Sequence, residues 1–244
     1  MANKSSKSRA KASKTFVVTF QSAALKKKLK ENISNENDLY LRLHRSISWL
    51  KAAEETRKPD YRFISLWISF NSLYASDLID LQQTRCSEAT NIYRFFKRMY
   101  ECDREGNIDK MLWKRFSQEI RILLENEYVF HAFWECIAGR RDDWQREFRN
   151  SKERCKRHLV NANTVKLLAE IFSRLYVLRN QVIHGYAKYE SIVNRDQMRD
   201  SAAILENLLP VFIKIMIEHP QVDLGLVKYP VVNHPDFTKV KSTA

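Results

Sequence analysis

From Asp38 onward the apolar residues recur at helical rather than alternating spacing. Leu39, Leu43, Ile47 and Leu50 form one stripe, with His44, Arg45, Lys51 and Glu54 mostly off it, which predicts a first core helix. Pro59-Asp60 breaks the pattern, and Asp60 is placed to cap a second helix. That helix carries Phe63, Ile64, Trp67, Ile68, Phe70, Leu73 and Tyr74, apolar nearly all round, so it is expected to be central and buried. Asn71 lies inside it and must find a hydrogen-bond partner. Shorter helices are predicted over Glu88 to Cys102, Asn107 to Leu124 and Glu125 to Ala138, with Gly106 and Gly139 as stops. Asp142 to His158 reads as a charged helix whose Trp144 and Phe148, four apart, anchor it to the core. Asn163 to His184 buries Ile171, Leu175, Leu178 and Val182 and ends at Gly185. Asn194, with Gln197 three residues on, opens a last long helix through Ile204, Leu208, Val211, Ile215 and Met216, with a bend before Pro210.

Composition agrees with an all-α fold. Only four glycines and five prolines are present, too few for a many-turned sheet protein of 244 residues. Residues 1 to 14 lack an apolar anchor and are expected to be disordered, whereas Thr15 to Phe20 is a short apolar run of either type. The chain divides into a basic arm over 1–30, a helical domain over 31–220 and an extended tail over 221–244. The four cysteines, Cys86, Cys102, Cys136 and Cys155, form no Cys-x-x-Cys pair and have no histidine at ligand spacing, so reduced buried thiols are expected and no metal site. The longest apolar candidate, Leu205 to Ile217, is broken by Glu206, Asn207, Pro210 and Lys214, so no membrane span is expected and the protein should be soluble and cytoplasmic.

Charge narrows the choice of partners. The net charge of +13 resides in two segments: residues 1–30, with nine Lys or Arg and no acid, and residues 140–157. Within the latter, Arg140, Arg141, Arg146, Arg149, Arg154 and Arg157 are candidate contacts to RNA. A basic Ser/Ala-rich arm is equally at home as a solubilising tail.

The helix closing at Gly185 holds the one constellation able to do chemistry. Arg179, Asn180 and His184 are polar residues set in apolar sequence. Asn180 and His184 lie about 40° apart on a regular helix, whereas Arg179 and His184 are separated by about 140°. Two arrangements bring arginine and histidine together. Either the last turn loosens at Gly185 and the arginine curls round, or a twofold axis brings a second copy of the helix to the same groove. The chemistry suits RNA: an imidazole moves the proton of a ribose 2′-hydroxyl or of the leaving oxygen, an arginine fork holds the phosphate, and Asn180 orients either. A histidine before a helix-ending glycine is also favourable for purely structural reasons. His44 and Asn71 are candidate supports for the site, and His131, His158 and His219 have no companion pattern.

Arg179-Asn180-x-x-x-His184 resembles the Arg-polar-x-x-x-His signature of the HEPN superfamily. Phe63 to Tyr74 and Leu175 to Gly185 look like the two central helices of its Apea-like group, and Asn194-Arg-Asp-Gln with the Pro210 helix resembles its closing segment, so the likeness spans roughly residues 38 to 230. The resemblance implies a bundle of four core helices, with the helices of about 88–158 inserted, and a homodimer. It further implies a metal-independent endoribonuclease, without cofactor, that leaves a 2′,3′-cyclic phosphate and a 5′-hydroxyl. Many relatives act as toxins or phage-defence effectors, and no sensor or antitoxin domain is recognisable in this chain, so whatever controls activity is either a separate antitoxin or sensor protein or absent. Two other readings stay open: a catalytically silent module that binds RNA, nucleotide or a protein, and a helical dimerisation protein whose basic arm meets nucleic acid nonspecifically.

Overall fold

The structure, a computed structural model, describes residues 22–35, 37–75, 87–115, 117–192, 195–225 and 227. In chain order the elements are α1 (Ser22–Asn32), α2 (Asp38–Glu55), α3 (Pro59–Tyr74), α4 (Glu88–Cys102), α5 (Asn107–Asp109), a π-helical stretch (Lys110–Arg115), α6 (Ser117–Glu125), a 3-10 turn (Glu127–Val129), α7 (His131–Ile137), α8 (Trp144–Val160), α9 (Thr164–Ile183) and α10 (Arg195–Glu218). The fold is all-α, with no β-strand among the described residues. The run Thr15 to Phe20, Cys86, Asn194 and nearly all of the predicted tail lie outside the described residues.

Helices α2 and α3 form the most extensive pair, joined by only three residues and therefore antiparallel. Asn37 starts α2 by accepting from the Leu39 amide at 2.7 Å. The seam between the two helices is lined by Ser46 and Ser69, whose hydroxyls lie 2.9 Å apart, with Ser69 also donating to the Ser46 carbonyl. These small, mutually satisfied side chains let two apolar helices approach closely. Asp60 does not cap α3 as predicted. Pro59 occupies the first turn, where its missing N–H costs nothing, and the buried Asp60 instead accepts from Arg195 at 2.8 Å, tying the start of α3 to the start of α10. At the other end, Arg42 reaches from α2 to the carbonyls of Leu73, Ala75 and Gly225. A buried cation thus satisfies the C-terminal carbonyls of α3, and burial pushes its pKa down to about 10.

Residues 22–30, read in the sequence as the end of the basic arm, form most of α1. Leu25 and Leu29 are fully buried against the core, and Ser22 is bonded through its amide and hydroxyl to Glu54. The lysines between them point away and mask a two-leucine anchor.

The stretch 88–158, expected as an insertion, splits in two. Its first half belongs to the main core. Phe95 and Phe96 of α4 stack among Phe70, Phe172 and Phe212 at 4.7–5.9 Å, and Ile108, Leu112, Ile120, Leu123 and Leu124 join the same cluster. The single helix predicted over Asn107 to Leu124 is interrupted by the π-helical stretch. Leu112 within that stretch and Ile120 in α6 are both buried in the main core. The second half reaches the main core through Val129 and Cys155 but also builds a cluster of its own. Phe130, Ala132 and Phe148, with Phe133 and Trp144 beside them, form a satellite cluster, so Trp144 and Phe148 anchor α8 to this cluster rather than to the main core.

Arg174 of α9 joins the satellite to the bundle. It is 1 % exposed, its guanidinium lies 4.4 Å from the Phe130 ring centroid and 5.8 Å from that of Phe148, and it donates to Ser151 at 2.8 Å. Glu170 accepts from both Ser151 and Arg154, which closes a charged network along the α8–α9 seam.

Candidate functional site

Helix α9 begins at Asn163, which accepts from the Lys166 amide, and buries Leu167, Leu168, Ile171, Phe172, Leu175 and Leu178 on its core side. It ends as predicted. His184 is the capping residue, its amide bonded to the Asn180 carbonyl at 3.1 Å, and Gly185 turns the chain with φ +74°. A Cβ added at Gly185 would meet nothing within 4 Å, so the glycine is there for the left-handed backbone and not for space.

The three motif residues take different environments. Arg179 is half-buried, donates through Nη1 to Asn180 Oδ1 at 2.8 Å and lies 5.5 Å from the Tyr176 ring centroid. Its Nε is buried without a hydrogen-bond partner. His184 is exposed, its ring 5.9 Å from that of Tyr186. No hydrogen bond among the described residues joins Arg179 to His184. The arrangement in which the arginine curls round within one chain is therefore not the one adopted. Asn180 links the pair only on the arginine side.

Behind Arg179 stands a polar network absent from the sequence reading. The Tyr74 hydroxyl lies 2.6 Å from Glu88 Oε1 and 3.0 Å from Asn71 Oδ1, and its single proton goes to the nearer, charged acceptor. Burial first, then the Glu88 hydrogen bond, drives the Tyr74 phenol far above its ordinary range, while the positive charge of Arg179 pulls it down. Burial and Glu88 also raise the Tyr176 phenol, against the pull of Arg179 and Asn180. Asn71 thus lies at the edge of this network, its Oδ1 3.0 Å from the Tyr74 hydroxyl. His44 does not reach this region. It stacks on Tyr40 at 5.9 Å, and burial together with Lys26 and Lys30 lowers its pKa, so its neighbours are those of the α1–α2 face.

On the solvent side, Asn180 lines a groove of about 740 Å³ between the C-terminal half of α9, the 3-10 turn with α7, and the loop after the motif. Tyr128, Trp134 and Tyr186 supply its aromatic walls, while His131, Arg140 and Lys188 supply its bases. A second cavity of about 350 Å³, lined by Glu88, Phe172 and Tyr176, shares His131 and Val177 with it. The Tyr128 carbonyl accepts from both Trp134 Nε1 and Gln181 Nε2 at 2.8 Å, which fixes the satellite wall against α9. The far side of the loop is tied down by Lys58 pairing with Glu190 and by Tyr61 against Tyr189.

The six arginines proposed as RNA contacts separate by partner. Arg141 is held by Glu135 and Glu147, Arg146 by Asp143 at 3.0 Å and Arg154 by Glu170 at 3.0 Å. Arg140, Arg149 and Arg157 are exposed and make no ion pair among the described residues, and of the six only Arg140 lines the groove beside Asn180. Sequence reasoning missed His131, Tyr128 and Trp134. Their one local signal is the aromatic run Tyr128-Val-Phe-His-Ala-Phe-Trp134, and nothing in it points to a helix so much later in the chain. The described thiols are unpaired: Cys155 is buried and pushed up to about 11 by burial, whereas Cys102 and Cys136 are partly exposed rather than buried as expected. Among the described residues no helix is long and apolar enough to cross a membrane.

Comparison of the chain with protein-family models, with curated proteins and with solved structures returned no match.

Proposed function

We propose that the chain is a cytoplasmic endoribonuclease of HEPN type, its site built from Arg179, Asn180 and His184 and completed across a twofold axis by a second copy. The observation that carries this reading is the division of labour at the end of α9. Arg179 is half-exposed and pre-oriented by Asn180 and Tyr176, while His184 stands exposed a turn later with no hydrogen bond to it among the described residues. A phosphate clamp and a proton carrier are thus presented separately, as a composite site requires. Ile183 and Ile192 beside the motif are exposed apolar residues, Ile192 at 92 %, a surface suited to self-association.

In this scheme His184 takes the ribose 2′-hydroxyl proton, and the 2′ oxygen attacks the adjacent phosphorus. The bond from phosphorus to the 5′ oxygen breaks, leaving a 2′,3′-cyclic phosphate and a 5′-hydroxyl protonated by water or by the second imidazole. Arg179 holds the non-bridging oxygens as charge builds on them. Proton transfer of this kind is worth about 10² to 10⁴-fold, and one preorganised donor on a developing anion about 10² to 10³-fold. A toxin or defence role under a separate antitoxin or sensor belongs to the same reading.

The test is cleavage of single-stranded RNA by the full chain in EDTA, with product ends identified. His184→Ala and Arg179→Ala are each expected to lose at least about 10²-fold in rate while remaining folded. Mixing the two inactive variants discriminates further. A composite site regains cleavage in mixed dimers, up to about a quarter of the wild-type rate at equal amounts. No regain from subunits shown to exchange removes the composite pairing, and full cutting by either single variant removes the site. Wild-type protein that binds RNA without cutting it would instead be a silent binding module.

A further inference from the structure

The groove beside Asn180 has a composition that the motif alone does not explain. It is walled by three exposed aromatic rings, Tyr128 at 46 %, Trp134 at 41 % and Tyr186 at 80 %, and carries the cations Arg140 and Lys188. None of its lining residues is Asp or Glu, in a chain with 29 such residues. Glu135, which faces His131 at 3.6 Å, is engaged by Arg141 at 3.2 Å, Glu190 is engaged by Lys58, and neither lines the groove.

The aromatic wall is preorganised. Trp134 is held by its indole N–H on the Tyr128 carbonyl and by Phe133 edge-on at 5.1 Å, and Tyr128 meets the same Phe133 edge-on at 5.4 Å. Arg140 and Lys188 enter no ion pair among the described residues and so keep their full charge for a ligand. The C-terminal end of α9 contributes about half a negative charge at the groove, and two unpaired cations outweigh it. Asn180 and Gln181 add amide groups of the kind that read a base edge. Flat rings, unpaired cations and amides without carboxylates fit an unpaired nucleotide, its base stacked on Trp134 or Tyr128 and its phosphate between Arg140 and Lys188.

We propose that this groove is a nucleotide subsite that captures one unpaired ribonucleotide of the RNA strand next to the cleavage centre. The inference rests on the nuclease reading for the identity of the strand, but its binding chemistry stands apart from cleavage. A volume of about 740 Å³ holds a nucleotide with room for its neighbour. The subsite is built on one side from α9 and the loop after it and on the other from α7 with the turns that flank it, so the satellite cluster held by Arg174 sets its width.

The experiment separates binding from chemistry by using a fluorescent 2′-O-methyl hexanucleotide, which has no 2′-hydroxyl to attack, read by anisotropy on the full chain, with 5′-AMP as competitor. Wild type is expected to bind, more weakly as salt rises. Trp134→Ala is expected to weaken binding about tenfold or more, with Trp134→Phe recovering most of it, because any flat ring stacks. Arg140→Glu and Lys188→Glu, both exposed changes, are expected to weaken binding and to reduce the salt slope by about one each. Competition by 5′-AMP assigns the groove to a single nucleotide; its failure, with the same variant effects, assigns it to a nucleotide within a strand. Unchanged affinity in both Trp134→Ala and Arg140→Glu overturns the subsite, even if unmodified RNA is still cut. Tight binding without cutting of unmodified RNA leaves the subsite standing and removes the nuclease.

Discussion

Arg174 and Arg179 sit five residues apart on α9 and serve different ends. Arg174 is sealed between Phe130 and Phe148, hydrogen-bonded to Ser151, and its pKa is lowered chiefly by burial. Every contact it makes fastens one part of the fold to another. Arg179 is half open, tied to its neighbour Asn180 and laid over Tyr176. Its surroundings hold it in position without using it up. The difference teaches how to tell a structural arginine from a working one: the first is sealed inside the protein between two rings, whereas the second keeps part of its side chain open to solvent.

Truncating both arginines breaks the comparison into numbers. Arg174→Ala is expected to cost about 3–5 kcal/mol, the usual penalty when one member of a buried charged network is removed. Urea unfolding followed by circular dichroism measures it. Arg174→Met should recover most of that loss, since an apolar side chain of similar volume suits a site walled by two phenylalanines. An Arg174→Ala protein as stable as wild type would mean that α8 and its cluster do not depend on this seam. The Arg179→Ala variant used to test cleavage should show the reverse profile, with stability within about 1 kcal/mol of wild type, because a half-exposed side chain leaves no sealed charge behind.

The same contrast explains what is legible in the sequence. The spans of α2, α3, α4, α8, α9 and α10 follow from 3.6-residue periodicity and from stops such as Gly185, and the motif stands out because three polar residues interrupt an apolar stripe. Arg174 does not stand out. A lone arginine brings no companion motif, and its partners come from residues 130–151, packed there by tertiary contacts that no local pattern encodes. Helix α1 is hidden for a related reason, since Leu25 and Leu29 are outnumbered by lysines whose charge dominates the window. The groove is assembled from residues 128–140 and 177–191, and only folding brings those segments together. Asp60 defeats the capping rule because a good capping residue two places past the cap can spend its carboxylate on a distant arginine instead.

A smaller effect probes what positions Arg179. Tyr74→Phe removes a buried hydroxyl bonded to Glu88 and next to Asn71, and leaves those groups short of a partner. A loss of about 1–2 kcal/mol in stability is expected. If the Tyr74–Glu88 network also steers Arg179, cleavage should fall through kcat more than through KM. Unaltered kcat in the Tyr74→Phe variant would reduce the network to packing.

The smallest effect belongs to the exposed counterpart of the Arg174 seam, the pair between Glu105 and Lys214 at 2.8 Å, which ties the turn before α5 to α10. The hydrogen bond from Lys214, then that from Asn107, holds the Glu105 carboxyl down at about 2 against an ordinary 4.5. A carboxyl depressed in the folded state stabilises it above the unfolded value and loses that contribution as pH falls toward the folded one. Glu105→Gln should therefore melt about a degree below wild type at pH 7, with the gap closing between about pH 4.5 and 2 and shrinking in high salt, because exposed pairs are weak and screened. Melting curves of the two proteins across that range read the difference directly. A gap that persists at pH 2 would show that the residue acts through the shape of the turn and not through its charge, and the contrast between buried and exposed ion pairs would then not extend to this end of α10.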